Sequence, residues 1–398
     1  METQKPQSVT TEDGEGVSAK RLGPVAVLGI SILLVICWLL KPFKFLHRFL
    51  PYQMREVTKA WDTRMMWTFI LTQGRKVYVG QYCELKDPPS FKPLVKTRGE
   101  WQLTEEQIKQ FYNDGFIGPI TLWTPEEMAE IRAKVEDVLD SPSRVYPNVK
   151  NRTRDRYIDR PDFWEVISAP QIVERLAQFL GPDLMVWRSQ IFNKEPGGPE
   201  ITWHCASTYM AEQMIKPALE PENINELFQL TTWIAVDDAD FENGCMHFLK
   251  GTQRTTVPIL RTAKELPGNP PEIAKIIAGE GRFALARLIL DLKMTPEMIV
   301  PMPLKAGQCV IFTERCIHGS PPNISKNRRF GFVFRTIKTN VKVYRDEKKH
   351  DVRVLRESYD LTNWGCALLR GQDKYHLNKM IEPPTAEHEF VDALAAKR

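Results

Sequence analysis

From Leu184 onward the chain changes its hydrophobic period, and that change restricts the possible folds more than any other feature. The runs Leu184 to Phe192, Phe228 to Val236, Cys245 to Leu249, Cys309 to Phe312 and Phe330 to Thr336 are short and rich in β-branched and aromatic residues. Gly, Pro, Asn and Asp separate them, the pattern of strands bounded by turns. Upstream the spacing is helical. Thr104 and Gln107 form a capping box ahead of Ile108, Phe111 and Tyr112, and the pattern breaks at Asp114-Gly115. Thr124-Pro125-Glu126-Glu127 opens a second helix with Met128, Ile131, Val135 and Val138 on one face. A third runs from about Pro170 to Leu180 and is closed by Gly181-Pro182. Helices followed by several short strands predict an α+β fold built on a jelly roll, a double-stranded β-helix with flanking helices.

Around this domain, expected over 101–340, the composition shifts. Residues 1–22 read as a polar tail, and 23–40 form an 18-residue uncharged run, long enough on its face for a transmembrane anchor. Residues 41–100 are basic and aromatic, with Trp61, Trp67 and Tyr78 spread along them, and 341–398 form a charged C-terminal extension. No small-residue cleavage site follows the apolar run, which argues for an uncleaved N-terminal transmembrane helix. Lys41, Lys44, Arg48, Arg55 and Lys59 follow the run, so the positive-inside rule puts the large C-terminal part in the cytosol. A single-pass protein of the endoplasmic reticulum or another internal membrane is the expectation. Residues 254–303 interrupt the strand pattern with helical character, notably Ile273 to Leu290, and suit a lid or extra packing.

The 54 basic and 50 acidic residues leave a net charge of +4, which gives no footprint for nucleic acid. Seven cysteines without a close CxxC pair indicate neither a disulfide framework nor a zinc knuckle. Among seven histidines, His204 follows Gly197-Gly198-Pro199 where a strand is expected to begin, and His318 follows the Cys309 to Phe312 run. The two lie 114 residues apart, and a pair so spaced carries little weight alone. Downstream, Arg329 and Arg335 fall on one expected strand. Non-haem Fe(II) oxygenases hold iron with two histidines and a carboxylate, leaving room for a 2-oxo acid and oxygen. The far carboxylate of the 2-oxo acid then needs a fixed cation, for which the planar fork of arginine is suited.

Three segments together make the likeness specific. Trp203-His204, then Glu242-Asn243-Gly244-Cys245-Met246, then His318-Gly319-Ser320 through Asn323 and Ser325 to Arg329 resemble the phytanoyl-CoA dioxygenase superfamily over roughly residues 102–338. The segment from Asp114 to Met128 is similar to chlorinating enzymes of the syringomycin type within that superfamily. Its hydroxylases carry His-x-Asp and those halogenases His-x-Ala; this chain reads His204-Cys205-Ala206.

The resemblance implies a cupin-like fold, His204 and His318 as iron ligands, and Ala206 as a vacancy where chloride or bromide meets the Fe(II). It further implies that Arg329 holds 2-oxoglutarate with Trp233 beside it, and that Thr231 and Arg335 support the halide. With O2 as oxidant, such an enzyme replaces an unactivated aliphatic C–H by C–Cl or C–Br. A membrane anchor points to a lipid-like or polyketide substrate, with a carrier-bound acyl chain as the alternative. Two other readings stay open: a hydroxylase of the phytanoyl-CoA dioxygenase type, and an inactive, membrane-tethered binding protein. His247 is a weaker candidate ligand, and Asp237 or Asp238 a candidate displaced carboxylate.

Overall fold

The computed structural model describes residues 23–78, 83–146, 153–205, 218–260, 289–290, 292, 294–344, 351–354 and 357–384. Three helices come first: α1 (Pro24–Leu40), α2 (Tyr52–Ala60) and α3 (Thr63–Leu71). They share a small apolar cluster of Leu34, Met66 and Phe69. Polar ties reinforce it: the Trp38 indole donates to Thr63 Oγ1 at 3.0 Å, and Lys41 Nζ donates to the Trp61 carbonyl at 2.6 Å. Asp62 caps α3 by accepting from the Met65 amide.

The expected transmembrane helix is corrected by these helices. Among the described residues no helix is long and apolar enough to cross a membrane. Helix α1 has 17 residues, about 25 Å at 1.5 Å per residue, against a hydrocarbon core of about 30 Å. One stripe of it, marked by Leu34 and Cys37, packs onto its neighbours.

Four further helices precede and flank the strands: α4 (Glu105–Asp114), α5 (Pro125–Val135), α6 (Pro161–Ile167) and α7 (Pro170–Leu180). The capping box expected at Thr104 and Gln107 forms, and the helix start read at Thr124 proves to be a second capping box, with Glu127. Proline occupies the first turn of α5, α6 and α7, where its missing N–H costs nothing. Helix α4 stops at Gly115, whose φ of 92° is left-handed. There Gln253 Nε2 donates to the carbonyls of Tyr112 and Asn113, both at 2.9 Å, satisfying acceptors that the helix end leaves open.

Among the described residues ten strands build two facing antiparallel sheets. In chain order they are β1 (Phe116–Thr121), β2 (Leu184–Lys194), β3 (Ile201–His204), β4 (Gln229–Ala235), β5 (Met246–Leu249), β6 (Ile299–Met302), β7 (Gln308–Phe312), β8 (Ile317–Ser320), β9 (Arg329–Lys338) and β10 (Ala367–Arg370). The six-stranded sheet has the order β10-β2-β9-β4-β7-β1 and the four-stranded sheet β6-β5-β8-β3. The five strands read from sequence are present with ends shifted by one or two residues.

Strand β9 alternates sharply. Phe330, Phe332 and Phe334 enter the core that the large sheet shares with α4, α6 and α7, each stabilising by about 2 to 3 kcal/mol on burial. Arg329, Gly331, Val333 and Arg335 turn the other way, toward the second core. There Trp233, Val310, Phe312 and Val333 of the large sheet meet Met246, Phe248 and Met302 of the small one. Two antiparallel sheets with helices on one outer face make the cupin-like jelly roll that the strand pattern predicts.

Two expectations change. His204 ends its strand rather than beginning it, and His318 lies inside a strand of its own. The C-terminal segment, unpatterned in sequence, supplies edge strand β10 and buries Trp364 and Cys366. Most of the 254–303 insertion, including nearly all of the helix expected over Ile273 to Leu290, lies outside the described residues. At its margins Ile289–Leu290 pairs with Ile259–Leu260, which pairs in turn with Lys76–Val77. All seven cysteines are free thiols.

Candidate active site

Strands β3 and β8 run antiparallel with His204 directly opposite His318. Opposed residues of such a pair project from the same face. Their ring centroids are 4.4 Å apart with planes inclined by 53°. The face is the one turned toward the large sheet, because His318 lies 4.8 Å from the ring of Phe312 and 6.0 Å from that of Phe248. Two histidines distant in sequence thus meet between the sheets. His247 does not join them. It precedes Phe248 on β5, so it points to the opposite face, where its ring lies 6.4 Å from that of Trp203.

The surroundings of His318 suit a metal ligand. Its Nδ1 is 2.8 Å from the Cys316 carbonyl oxygen, which can only accept, so Nδ1 carries the proton and Nε2 keeps its lone pair. A backbone carbonyl on the far nitrogen also fixes ring orientation. Burial, then the neighbouring His204, then the charge of Arg335 outweigh that hydrogen bond and push His318 well below the usual histidine range. The imidazole is therefore neutral, the form that coordinates a cation.

Among the described residues no cluster of three or more His, Cys, Asp or Glu forms a complete metal site. Ala206 lies outside the described residues. Neither aspartate considered as a displaced carboxylate is available. Asp237 is held between Arg132 and Arg328 at 3.0 and 2.9 Å. Asp238 is held by Lys305 Nζ and the Ala306 amide, both at 2.8 Å. Two facing imidazoles with the rest of the coordination sphere left to small ligands fit Fe(II) of the non-haem oxygenase kind.

At the neighbouring end of the inter-sheet space sits Arg329, 2 % exposed, with Nη1 donating to the Gly244 carbonyl and Nε without a partner. No carboxylate pairs with it among the described residues. Burial lowers its guanidinium to about 10, which leaves it charged at neutral pH. Its guanidinium carbon lies 5.6 Å from the Trp233 ring centroid. Trp233 is buried on β4, and Gly331 beside Arg329 makes room for its indole. A buried guanidinium with an open Nε beside an indole is chemically suited to a small-molecule carboxylate.

Thr231 and Arg335 face each other across the β4–β9 ladder, with Phe312 on the other flank of Thr231. The Arg335 guanidinium stands 5.9 Å from the Trp187 ring and its charge reaches His318. The structure therefore gathers His204, His318, Arg329, Trp233, Thr231 and Arg335 between the two sheets. One residue escaped the sequence reading: Lys194, buried directly across the ladder from Arg329. The strand was read only as far as Phe192, and a lysine at a strand end gives no periodic signal.

The family model described as Phytanoyl-CoA dioxygenase (PhyH) matches residues 111–331, more than half of the chain. The "Dioxygenase lolE1" of Epichloe uncinata is 25% identical over 314 residues, covering 78% of this chain and 86% of that protein. The "Ectoine dioxygenase" of Nocardia farcinica is 27% identical over 244 residues, covering 56% of this chain and 74% of its own. A similar solved structure is "CytC3 with Fe(II) and alpha-ketoglutarate", with a TM-score of 0.53 and 26% identity over 73% of this chain and 94% of that one.

Proposed function

The chain belongs to the phytanoyl-CoA dioxygenase family and is an Fe(II)- and 2-oxoglutarate-dependent oxygenase, and from that premise we propose that it is a halogenase. The observation that carries this reading is a facing histidine pair with no described carboxylate to complete it, in a chain with alanine two residues beyond His204. A carboxylate at 206 would fill a coordination position and add a negative charge. Alanine does neither, which favours chloride or bromide in that place.

Iron with 2-oxoglutarate and O2 supplies, when bound, the oxidising power to take hydrogen from an unactivated aliphatic carbon. The chain's own residues do the rest. His204 and His318 hold the metal, the latter oriented by the Cys316 carbonyl. Arg329 grips the far carboxylate of 2-oxoglutarate, and Trp233 walls that end. Phe248 and Phe312 keep water from the His318 side. Arg335, with Thr231 across the ladder, lends positive potential to the halide.

The substrate class that fits is a lipid-like, polyketide or carrier-bound acyl chain met at a membrane. In support, thirteen of the nineteen large apolar side chains exposed on the described surface belong to residues 25–71, among them Ile32, Trp38, Phe43, Phe45, Phe49 and Trp67. Lys41, Lys44 and Arg48 lie in the same stretch, the pairing of apolar and basic groups that binds anionic bilayers. Attachment through this surface, with the catalytic domain on the cytosolic side of an internal membrane, replaces the spanning anchor. The relatives' names as dioxygenases support a second reading, hydroxylation at the same site.

Mass spectrometry of extracts from cells with and without the protein tests the choice. The expected result is a metabolite with a chlorine or bromine isotope pattern that appears with the wild-type chain and vanishes with Ala206→Asp. Halogenated product at an unchanged level in that variant would refute the assignment.

A further inference from the structure

We infer that Arg154 binds an oxyanion head group on the substrate, at the open side of the space between the sheets. The inference rests on the acyl substrate proposed above and narrows it to an acidic amphiphile. Residues 153–155 add a short run to the outer edge of β2, where the Asp155 amide donates to the Ser189 carbonyl and the Ile191 amide to the Thr153 carbonyl, both at 3.0 Å. Arg154 thereby becomes the antiparallel partner of Gln190. Gln190 is in turn the partner of Val333, which lies in the core between the sheets, so all three side chains leave the face turned toward the small sheet. The arginine points inward.

Arg154 is 8 % exposed, yet its Nε and Nη1 have no hydrogen-bond partner. Its guanidinium carbon lies 4.4 Å from the centre of the Tyr359 ring, a contact that eases the charge but offers no oxygen to the N–H groups. The neighbouring carboxylate is committed elsewhere. Asp155 accepts from the Ser189 amide and from the Tyr146 hydroxyl, both at 2.7 Å, and its field falls on Arg188 before Arg154. A buried guanidinium with unused donors is costly until an acceptor arrives.

Position indicates what that acceptor belongs to. Arg188, two residues before Gln190 on the same strand, opposes Arg335 on β9, and the charge of Arg335 reaches His318. Neighbouring strands stand about 4.8 Å apart, so the run carrying Arg154 is roughly 10 Å across the sheet from β9. An anion held there stays clear of the metal. Lys194 at the end of β2 donates to Ser320 on β8, the strand that pairs with β3, so the edges carrying Arg154 and His204 lie on one side of the sandwich. That side is open, because Phe192, two residues beyond Gln190 on the inward face, is 39 % exposed. A cation for the head, an aromatic wall at the entry and the histidine pair further in suit a molecule with an acidic head and an apolar chain. Carboxylate and phosphate heads both present the paired oxygens that a guanidinium takes.

Equilibrium dialysis of radiolabelled dodecanoate, dodecyl phosphate and methyl dodecanoate against the full chain, loaded with Mn(II) and 2-oxoglutarate and kept free of oxygen and halide, tests this. In the wild type at least one of the two anions should bind tenfold or more tighter than the uncharged ester, the scale of one hydrogen bond to a charged group. The tighter of the two tells a carboxylate head from a phosphate. In Arg154→Met the advantage should vanish with ester affinity unchanged, and Arg154→Lys should restore part of it. An advantage kept in full by Arg154→Met would overturn the inference, and so would equal weakening of all three ligands, which marks a purely structural part. Saturable binding of the ester with no advantage for either anion would overturn it and leave the acyl substrate standing. Absence of saturable binding by any of the three would overturn both. None of these outcomes depends on whether the reaction is halogenation or hydroxylation, which the Ala206→Asp comparison decides separately.

Discussion

Trp233 occupies the space that a side chain at Gly331 would need: a Cβ there would lie 2.2 Å from Cζ2 and 2.6 Å from Cε2 of the indole. Real Cβ atoms do not approach so closely, so the indole and any larger residue at 331 exclude each other. The glycine is thus set by the tryptophan, and the tryptophan by the arginine two residues from that glycine. Gly331→Ala should therefore displace the indole, cost about 1 to 3 kcal/mol by overpacking, and weaken 2-oxoglutarate binding. Urea unfolding midpoints and anaerobic calorimetric titration of the Mn(II)-loaded protein with 2-oxoglutarate measure the two effects. A variant of wild-type stability and affinity would mean that the indole has another resting place.

His318 and His247 stand on opposite faces of the small sheet, which separates their fates on substitution. His318→Gln should lower Fe(II) affinity at least a hundredfold in an anaerobic titration, and His247→Gln should leave it near the wild-type value. Loss of iron in the second variant would move the site to the other face. The metal-free protein carries a pH signature as well. The folded His318 titrates below the ordinary value near 6.5. As pH falls through about 6.5 the unfolded chain therefore takes up this proton before the folded one. The stability from His318 is whole above that pH and lost below it. The melting temperature of apoprotein should fall between about pH 7 and 5.5, and fall less steeply in His318→Gln.

Phe43, Phe45 and Phe49 project from the turn after α1 at 50%, 65% and 70% exposure, interleaved with Lys44 and Arg48. Replacing the three by serine should leave the catalytic domain folded and cut flotation with phosphatidylserine vesicles by tenfold or more. Lys44→Glu with Arg48→Glu should cut it for anionic vesicles and hardly for neutral ones. Flotation that ignores both sets of changes would show that this surface does not meet lipid.

What was legible in the sequence was local. The capping box at Thr104 and the Thr124-Pro125 cap placed α4 and α5, and Pro170 with Gly181 bracketed α7, because each signal is a hydrogen bond or a backbone preference within a few residues. Five strands were visible through their apolar runs. Strand β1 was not, since Gly118 and Pro119 inside it carry the marks of a turn and its pairing with β7 comes from nearly two hundred residues away. Edge strand β10 was hidden for the same reason.

The site shows the same division. His204, His318 and Arg329 were found through motif and family likeness, whereas Lys194 has no motif and is identified only by the residue across the ladder. Asp237 and Asp238 looked equally free in sequence, and only the structure shows them held by Arg132, Arg328 and Lys305.

The order of strands also bears on how this protein acquires its iron during biosynthesis. Among the described residues His204 sits on an edge strand whose one partner in the sheet, β8, is made more than a hundred residues later. Arg329 belongs to a strand later still, wedged between β2 and β4. A nascent chain that has exposed His204 holds neither its second imidazole nor the ladder that seats the arginine. On the proposed reading of the two histidines as iron ligands, the metal site cannot assemble until β8 has been made and has paired with β3, and the seat for the cosubstrate forms later still, when β9 enters its place between β2 and β4.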